Sequence, residues 1–197
     1  MHFAVLIRKK NIVIIEYDIV TKGILNLDII RTSKIYINNP RKIIRTLGVH
    51  GYFNWLSDRN YLKLVYWAET RNKLNLDKPE SFNEKLQWLK LYDRNPKYCD
   101  YVDKYAVRFH ISKTIGSQYL IPIIGLYNSV EDINWDELPE KFVLKCTHGS
   151  GSNVICLDKS QLSKKDAIRK LNKWMGRNWF WLGREWPYKK IKPRIIC

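Results

Sequence analysis

An α+β fold with an antiparallel sheet follows from three features of the sequence. Apolar residues recur at helical spacing between Ser81 and Thr114. Two apolar runs, Phe142–Lys145 and Val154–Leu157, flank a glycine-serine turn of hairpin length. Near the N-terminus, β-branched clusters are separated by turn residues. With 197 residues, 45% of them apolar, the chain is long enough to bury a core and too apolar to remain disordered.

Taken in order, residues 1–35 form an N-terminal extension. Its runs Ile12–Ile15, Ile19-Val20 and Ile29-Ile30, punctuated by Asn11 and Lys22-Gly23, suit a small β-meander. Residues 36–118 read as a helical lead-in. After the turn signal Asn38-Asn39-Pro40, the segment Arg41–Leu47 is a basic apolar helix. Aromatics from Tyr52 to Trp67 follow, and an aromatic stripe at this spacing is chiefly core. Ser81 and Glu84 make a capping box, in which each side chain takes an otherwise free N–H. It opens a helix whose Phe82, Leu86 and Leu89 share a face. A further helix is expected from Tyr98 to Thr114, closed by Gly116.

Residues 119–197 carry the sheet. Leu120–Tyr127 reads as a strand, and Pro122 confines it to an edge or to the start of a strand. Asp136–Pro139 turns the chain into the 142–147 strand, and Gly149–Asn153 connects this to its antiparallel partner. A last helix starts at Ser163, with Asp166 as an acidic capping partner, and ends at Met175-Gly176. No internal repeat and no low-complexity segment is visible.

Composition narrows the function classes. A net charge of +16 calls for an anionic partner: phosphates, acidic glycans, anionic lipid or nucleic acid. Nucleic acid rests on charge alone, since no recognition motif is present. Between Lys159 and Arg194, twelve Lys and Arg face only Asp166 and Glu185. Trp174, Trp179, Trp181 and Trp186 are interleaved with them, a pattern that suits a non-catalytic module on glycan or membrane as well as a folded core. Cys99, Cys146, Cys156 and Cys197 have neither zinc spacing nor a disulfide framework, so free thiols and a cytoplasmic location are expected. No run reaches the ~20 apolar residues of a membrane span. Arg8, Lys9 and Lys10 follow the apolar start rather than precede it, the reverse of a secretory leader. At most, peripheral contact with an anionic membrane is expected.

The stretch Phe142–Cys156 holds the chemistry. A strand ending in Lys145 leads into His148-Gly149-Ser150-Gly151-Ser152. Glycines allow close backbone approach to an anion, turn N–H groups can cradle phosphate oxygens, and the lysine adds a point charge. The Walker spacing is absent, and Gly149-x-Gly151 runs into a strand, so neither standard nucleotide loop applies. His148 could donate to a phosphate or simply cap the turn. Lys104, next to Asp103 on the expected 98–114 helix, has no function that its local sequence shows.

Taken together, these segments resemble the TupA-like ATP-grasp family, associated with bacterial teichuronopeptide and cell-surface polysaccharide biosynthesis. The resemblance runs from about Tyr36 to Ile196. It includes Phe53–Asp58, Ser81–Lys90, Val102-Asp103-Lys104-Tyr105, Leu138-Pro139, Phe142–Lys145, His148–Gly151, Gly183–Tyr188 and Lys192–Ile196. It implies that residues 119–197 are the first subdomain of an ATP-grasp fold, in which two α+β subdomains hold ATP. It also implies ligase chemistry, in which a carboxylate is phosphorylated by ATP and the acyl phosphate is attacked by an amine, or else a transferase acting with glycosyltransferases on a surface polysaccharide precursor. Lys104 and Lys145 would be the two phosphate-facing lysines, and His148, Gly149, Ser150, Gly151 and Ser152 the loop that closes over the phosphates. Substrates would be a nucleotide and a glycan or lipid-linked glycan precursor. Family members continue past the Pro-Arg-Ile-Ile segment to an adenine-contacting linker and the Mg²⁺ carboxylates, whereas this sequence stops at Cys197. ATP is therefore the expected cofactor, Mg²⁺ is expected only with such a C-terminal half, and residues 1–197 alone are expected to be catalytically inactive.

Overall fold

The computed structural model describes the backbone of residues 2–8 and 11–17 and, in side-chain detail, residues 41–197, apart from the side chain of Val49. The chain divides into two compact units, Met1–Glu84 and Lys85–Cys197.

In the first unit, β1 (His2–Arg8) and β2 (Asn11–Tyr17) form an antiparallel hairpin, in register from His2 opposite Tyr17 to Arg8 opposite Asn11. The expected runs Ile19-Val20 and Ile29-Ile30 lie outside the described residues. Helix α1 (Lys42–Val49) packs against α2 (Asp58–Thr70). Ser57 caps α2 by accepting from the Asn60 N–H at 3.3 Å, satisfying a donor that a helix start leaves free. The aromatic stripe is less buried than its spacing suggests. Tyr61 is buried with Leu62, Ala68, Leu74 and Leu76, whereas Tyr52, Trp55 and Trp67 are exposed.

The unit boundary falls within α3 (Phe82–Tyr92). Its capping box is present in full: the Ser81 N–H donates to Glu84 Oε2 at 2.9 Å, and the Glu84 N–H donates to Ser81 Oγ at 3.3 Å. The apolar face expected on this helix is nevertheless open, since Phe82, Leu86 and Leu89 are all exposed. Helical spacing sets which side chains share a face, but it does not supply what covers them.

The single helix expected over 98–114 is two helices, α4 (Lys97–Val102) and α5 (Ala106–Thr114). Asp103 causes the break. Its backbone is extended (φ −76°, ψ 116°), and its Oδ1 accepts from the N–H groups of Tyr105 (2.8 Å) and Ala106 (3.3 Å). An aspartate that captures nearby backbone donors in this way ends one helix and starts the next.

The second unit is built on a four-stranded antiparallel sheet of order β3-β6-β4-β5: β3 (Leu126–Tyr127), β4 (Phe142–Cys146), β5 (Asn153–Cys156) and β6 (Ile195–Ile196). The hairpin β4–β5 forms where it was expected, with Phe142 opposite Cys156 and Lys145 opposite Asn153. The strand expected over 120–127 shrinks to its last two residues at the sheet edge. Pro122 has no N–H to give a ladder, and pairing begins only where the Ile124 N–H reaches the Cys197 carbonyl (2.8 Å). The two-residue strand β6, which the sequence did not signal, inserts between β3 and β4 and places Arg194 at the end of β4. Helix α6 (Lys164–Met175), capped by Ser163 Oγ accepting from the Asp166 N–H (3.3 Å), covers one sheet face. Phe142, Leu144, Cys146, Val154, Cys156 and Ile195 point into this core with Ala167 and Leu171 of α6.

Candidate functional site

Strand alternation fixes the side of the sheet on which Lys145 stands. Leu144 and Cys146 are fully buried in the core beneath α6, so Lys145 between them projects from the other face. Register places Leu126, Ile196, Lys145 and Asn153 in one row across that face. The face is open: Lys145 and Asn153 are exposed, and Ile155 is 63% exposed. Lys145 is thus a cation on an uncovered surface at the lip of the turn.

The break at Asp103 brings Lys104 to the same turn. Its N–H donates to the Thr147 carbonyl at 3.1 Å, and its Nζ donates to the Gly149 carbonyl. The ammonium is half-buried. Loss of solvation holds it below the usual lysine range, and the charge of Lys145 pushes the same way, while Cys146 and Asp103 oppose the shift. Lys145 therefore acts electrostatically on Lys104 although 41 positions separate them in sequence. Asp103, 5% exposed, uses Oδ2 to accept from Arg194 at 2.9 Å, and Arg194 returns its carbonyl to the Thr147 N–H at 2.8 Å. The guanidinium also stacks on the ring of Tyr105, 4.7 Å from its centroid.

The connection between β4 and β5 spans residues 147–152 and has two kinds of position. Ser150 and Gly151 form an exposed tip. Gly151 adopts φ +72° with open space around it, a conformation that favours glycine. Thr147, His148, Gly149 and Ser152 are buried at its base. Gly149 lies directly against the indole of Trp179, where any side chain would collide with the ring. The hydroxyls of Thr147 and Ser152 and the indole N–H of Trp179 are buried without a hydrogen-bond partner among the described residues. Buried polar groups are seldom left so, and a cluster of them around one loop fits a site built for a polar ligand.

His148 ties the loop to α6. Its Nε2 donates to the Trp174 carbonyl at the end of α6 (3.1 Å), and burial holds the imidazole below its usual range against the pull of the Trp174 and Arg177 backbone groups. Cys146 is likewise embedded, its thiol pushed up to about 11 by burial. Among the described residues no group of three or more His, Cys, Asp or Glu could hold a metal ion, and no helix is long and apolar enough to cross a membrane.

The tryptophans of the basic tail are largely engaged within the fold. Arg177 lies over Trp179 (5.1 Å), Arg184 over Trp181 (4.4 Å) and Arg94 over Trp186 (5.6 Å). The Trp186 indole N–H donates to the Asp93 carbonyl at 2.7 Å.

Sequence reasoning gave Asp103, Thr147, Trp179 and Arg194 no part in holding the loop. For Asp103 a signal existed, since aspartate competes for backbone donors and disfavours a helix interior. For the other three there was none, because their roles arise from contacts between distant segments.

The TupA-like ATP-grasp family model matches residues 84–197, more than half of the chain. No curated protein and no solved structure matches it.

Proposed function

The chain belongs to the TupA-like ATP-grasp family, and on that premise we propose that Lys104, Lys145 and the 148–152 loop hold the phosphates of ATP. The observation that carries this reading is the meeting of Lys104 with Gly149. A helix break and a sheet turn, remote in sequence, converge to put one cation under the loop while a second stands at its lip. The residues present suit a polyanion. Lys104 and Lys145 supply charge, the exposed Ser150-Gly151 tip offers backbone N–H groups, and the Thr147 and Ser152 hydroxyls await partners. His148 fixes the base of the loop through the Trp174 carbonyl.

When bound, ATP would supply the phosphoryl group that activates a carboxylate for attack by an amine. The part played by these residues is to orient the phosphates and to offset the negative charge that grows during transfer. The described acidic residues form no cluster suited to Mg²⁺, and the reading derives no step through that ion. The substrate we propose is a precursor of a bacterial cell-surface polysaccharide, glycan or lipid-linked glycan, handled at the inner face of the membrane. The net charge of +16 supports an anionic substrate or surface.

Calorimetric titration of ATP into the protein tests the site. Lys104→Ala and Lys145→Ala are each expected to weaken ATP by about tenfold or more, the scale of one charge-assisted contact. Unchanged affinity in both variants would remove these residues from the site.

A further inference from the structure

Lys104 is the more constrained of the two lysines, and what constrains it is a partly buried ion pair that the phosphate reading does not itself require. Asp103 divides its carboxylate. Oδ1 caps α5 through Tyr105 and Ala106, while Oδ2 takes the Arg194 guanidinium at 2.9 Å. Arg194 is in turn bound to the end of β4 through the Thr147 N–H, and Lys104 to the same residue through the Thr147 carbonyl. The helix break, the lead into β6 and the start of the loop are thereby joined at Thr147. The carboxylate is 7% exposed and the arginine side chain 21%. A buried pair of this kind costs desolvation and is weak evidence of stability for its own sake.

We infer that the Asp103–Arg194 pair is a positioning device, which holds Lys104 against the glycine loop and sets the charges around its amine for phosphate. The inference rests on the phosphate site proposed above and names the residues that set it. Charges facing the Lys104 amine come from three places. Asp103 adjoins it in sequence, with Arg194 behind the carboxylate; Lys145 and Cys146 belong to β4; and His148 lies in the loop. Of these, Asp103 is the fixed anion, since Cys146 is a thiol pushed up to about 11. Neutralising Asp103 removes the anion and leaves Arg194 as an added cation, so both changes favour the uncharged amine.

Asp103→Asn is the informative variant, because its side-chain oxygen can still cap α5 while the charge is gone. The first readout is the pH dependence of acetylation at Lys104, followed by peptide mass spectrometry on the full chain; only the neutral amine reacts. The midpoint should move to lower pH in Asp103→Asn and return in Asp103→Glu, with thermal unfolding confirming that the variants are folded. Arg194→Gln, which removes the competing cation, should move it the opposite way. A midpoint unmoved in folded Asp103→Asn would overturn the inference. The second readout is ATP affinity against pH, whose alkaline loss should set in earlier in Asp103→Asn. If Lys104→Ala weakens ATP but Asp103→Asn leaves the alkaline limb in place, the positioning role fails while the phosphate site stands. If Lys104→Ala has no effect on ATP, the site itself fails, and the acetylation profile still decides whether Asp103 controls the amine.

Discussion

Gly149 and Gly151 are close in sequence but are glycines for different reasons. Gly151 needs a backbone conformation with φ +72°, and an added methyl would meet only open space. Gly149 needs room, because the Trp179 indole occupies the place of its missing side chain. Gly151→Ala should therefore cost about 1–2 kcal/mol of backbone strain, independent of Trp179. Gly149→Ala should cost about 1–3 kcal/mol through overpacking, and Trp179→Ala in the same chain should recover much of that loss. Urea denaturation of the two single variants and the double variant measures the coupling; purely additive losses would show that the two residues do not interact. His148 gives a pH prediction. Burial keeps its folded-state value below the ordinary 6.5, so on acidification the unfolded chain takes up the proton first. The stability tied to a neutral ring is complete above about pH 6.5 and is lost as pH falls through the window down to the lower folded value. Unfolding free energy should decline across that window and decline less in His148→Gln, as denaturant titration at several pH values would register.

At the scale of elements, the local signals marked the starts of α3 and α6 well. Ser81 with Glu84, and Ser163 with Asp166, form the expected caps because such bonds span only three residues. Ser81→Ala should destabilise the first unit by about 1 kcal/mol, measured by thermal or urea unfolding. No change would mean that Glu84 holds the helix start without the serine. Longer-range events were hidden. Tyr98 to Thr114 has continuous helical spacing, which masks the break made where Asp103 Oδ1 takes the Tyr105 and Ala106 N–H groups and Oδ2 is held by Arg194, ninety-one positions away. The strand β6 was illegible because two isoleucines after a proline are too short a run to announce a strand. Its identity comes from β3 and β4 on either side. The face of α3 is the converse case: Phe82, Leu86 and Leu89 have the spacing of a buried stripe and lie in the open.

For the molecule as a whole, the α+β class and the family were legible, because many short motifs fall in the right order and each needs only local sequence to be seen. The family match over 84–197 and the antiparallel sheet agree with that reading. The loop drew notice through its glycines and the lysine before it. What gathers its neighbours was not readable, since Asp103, Thr147 and Arg194 come together only through the sheet order and the helix break. The central claim is that these remote segments form one phosphate site in the Lys85–Cys197 unit. Amide hydrogen exchange with and without ATP, resolved by peptide along the chain, tests it most directly. Protection gained in the peptides covering Lys104 and Thr147–Asn153, and absent in Lys104→Ala, is the expected result. Protection confined to other segments, or none at ATP concentrations that saturate binding, would contradict the claim.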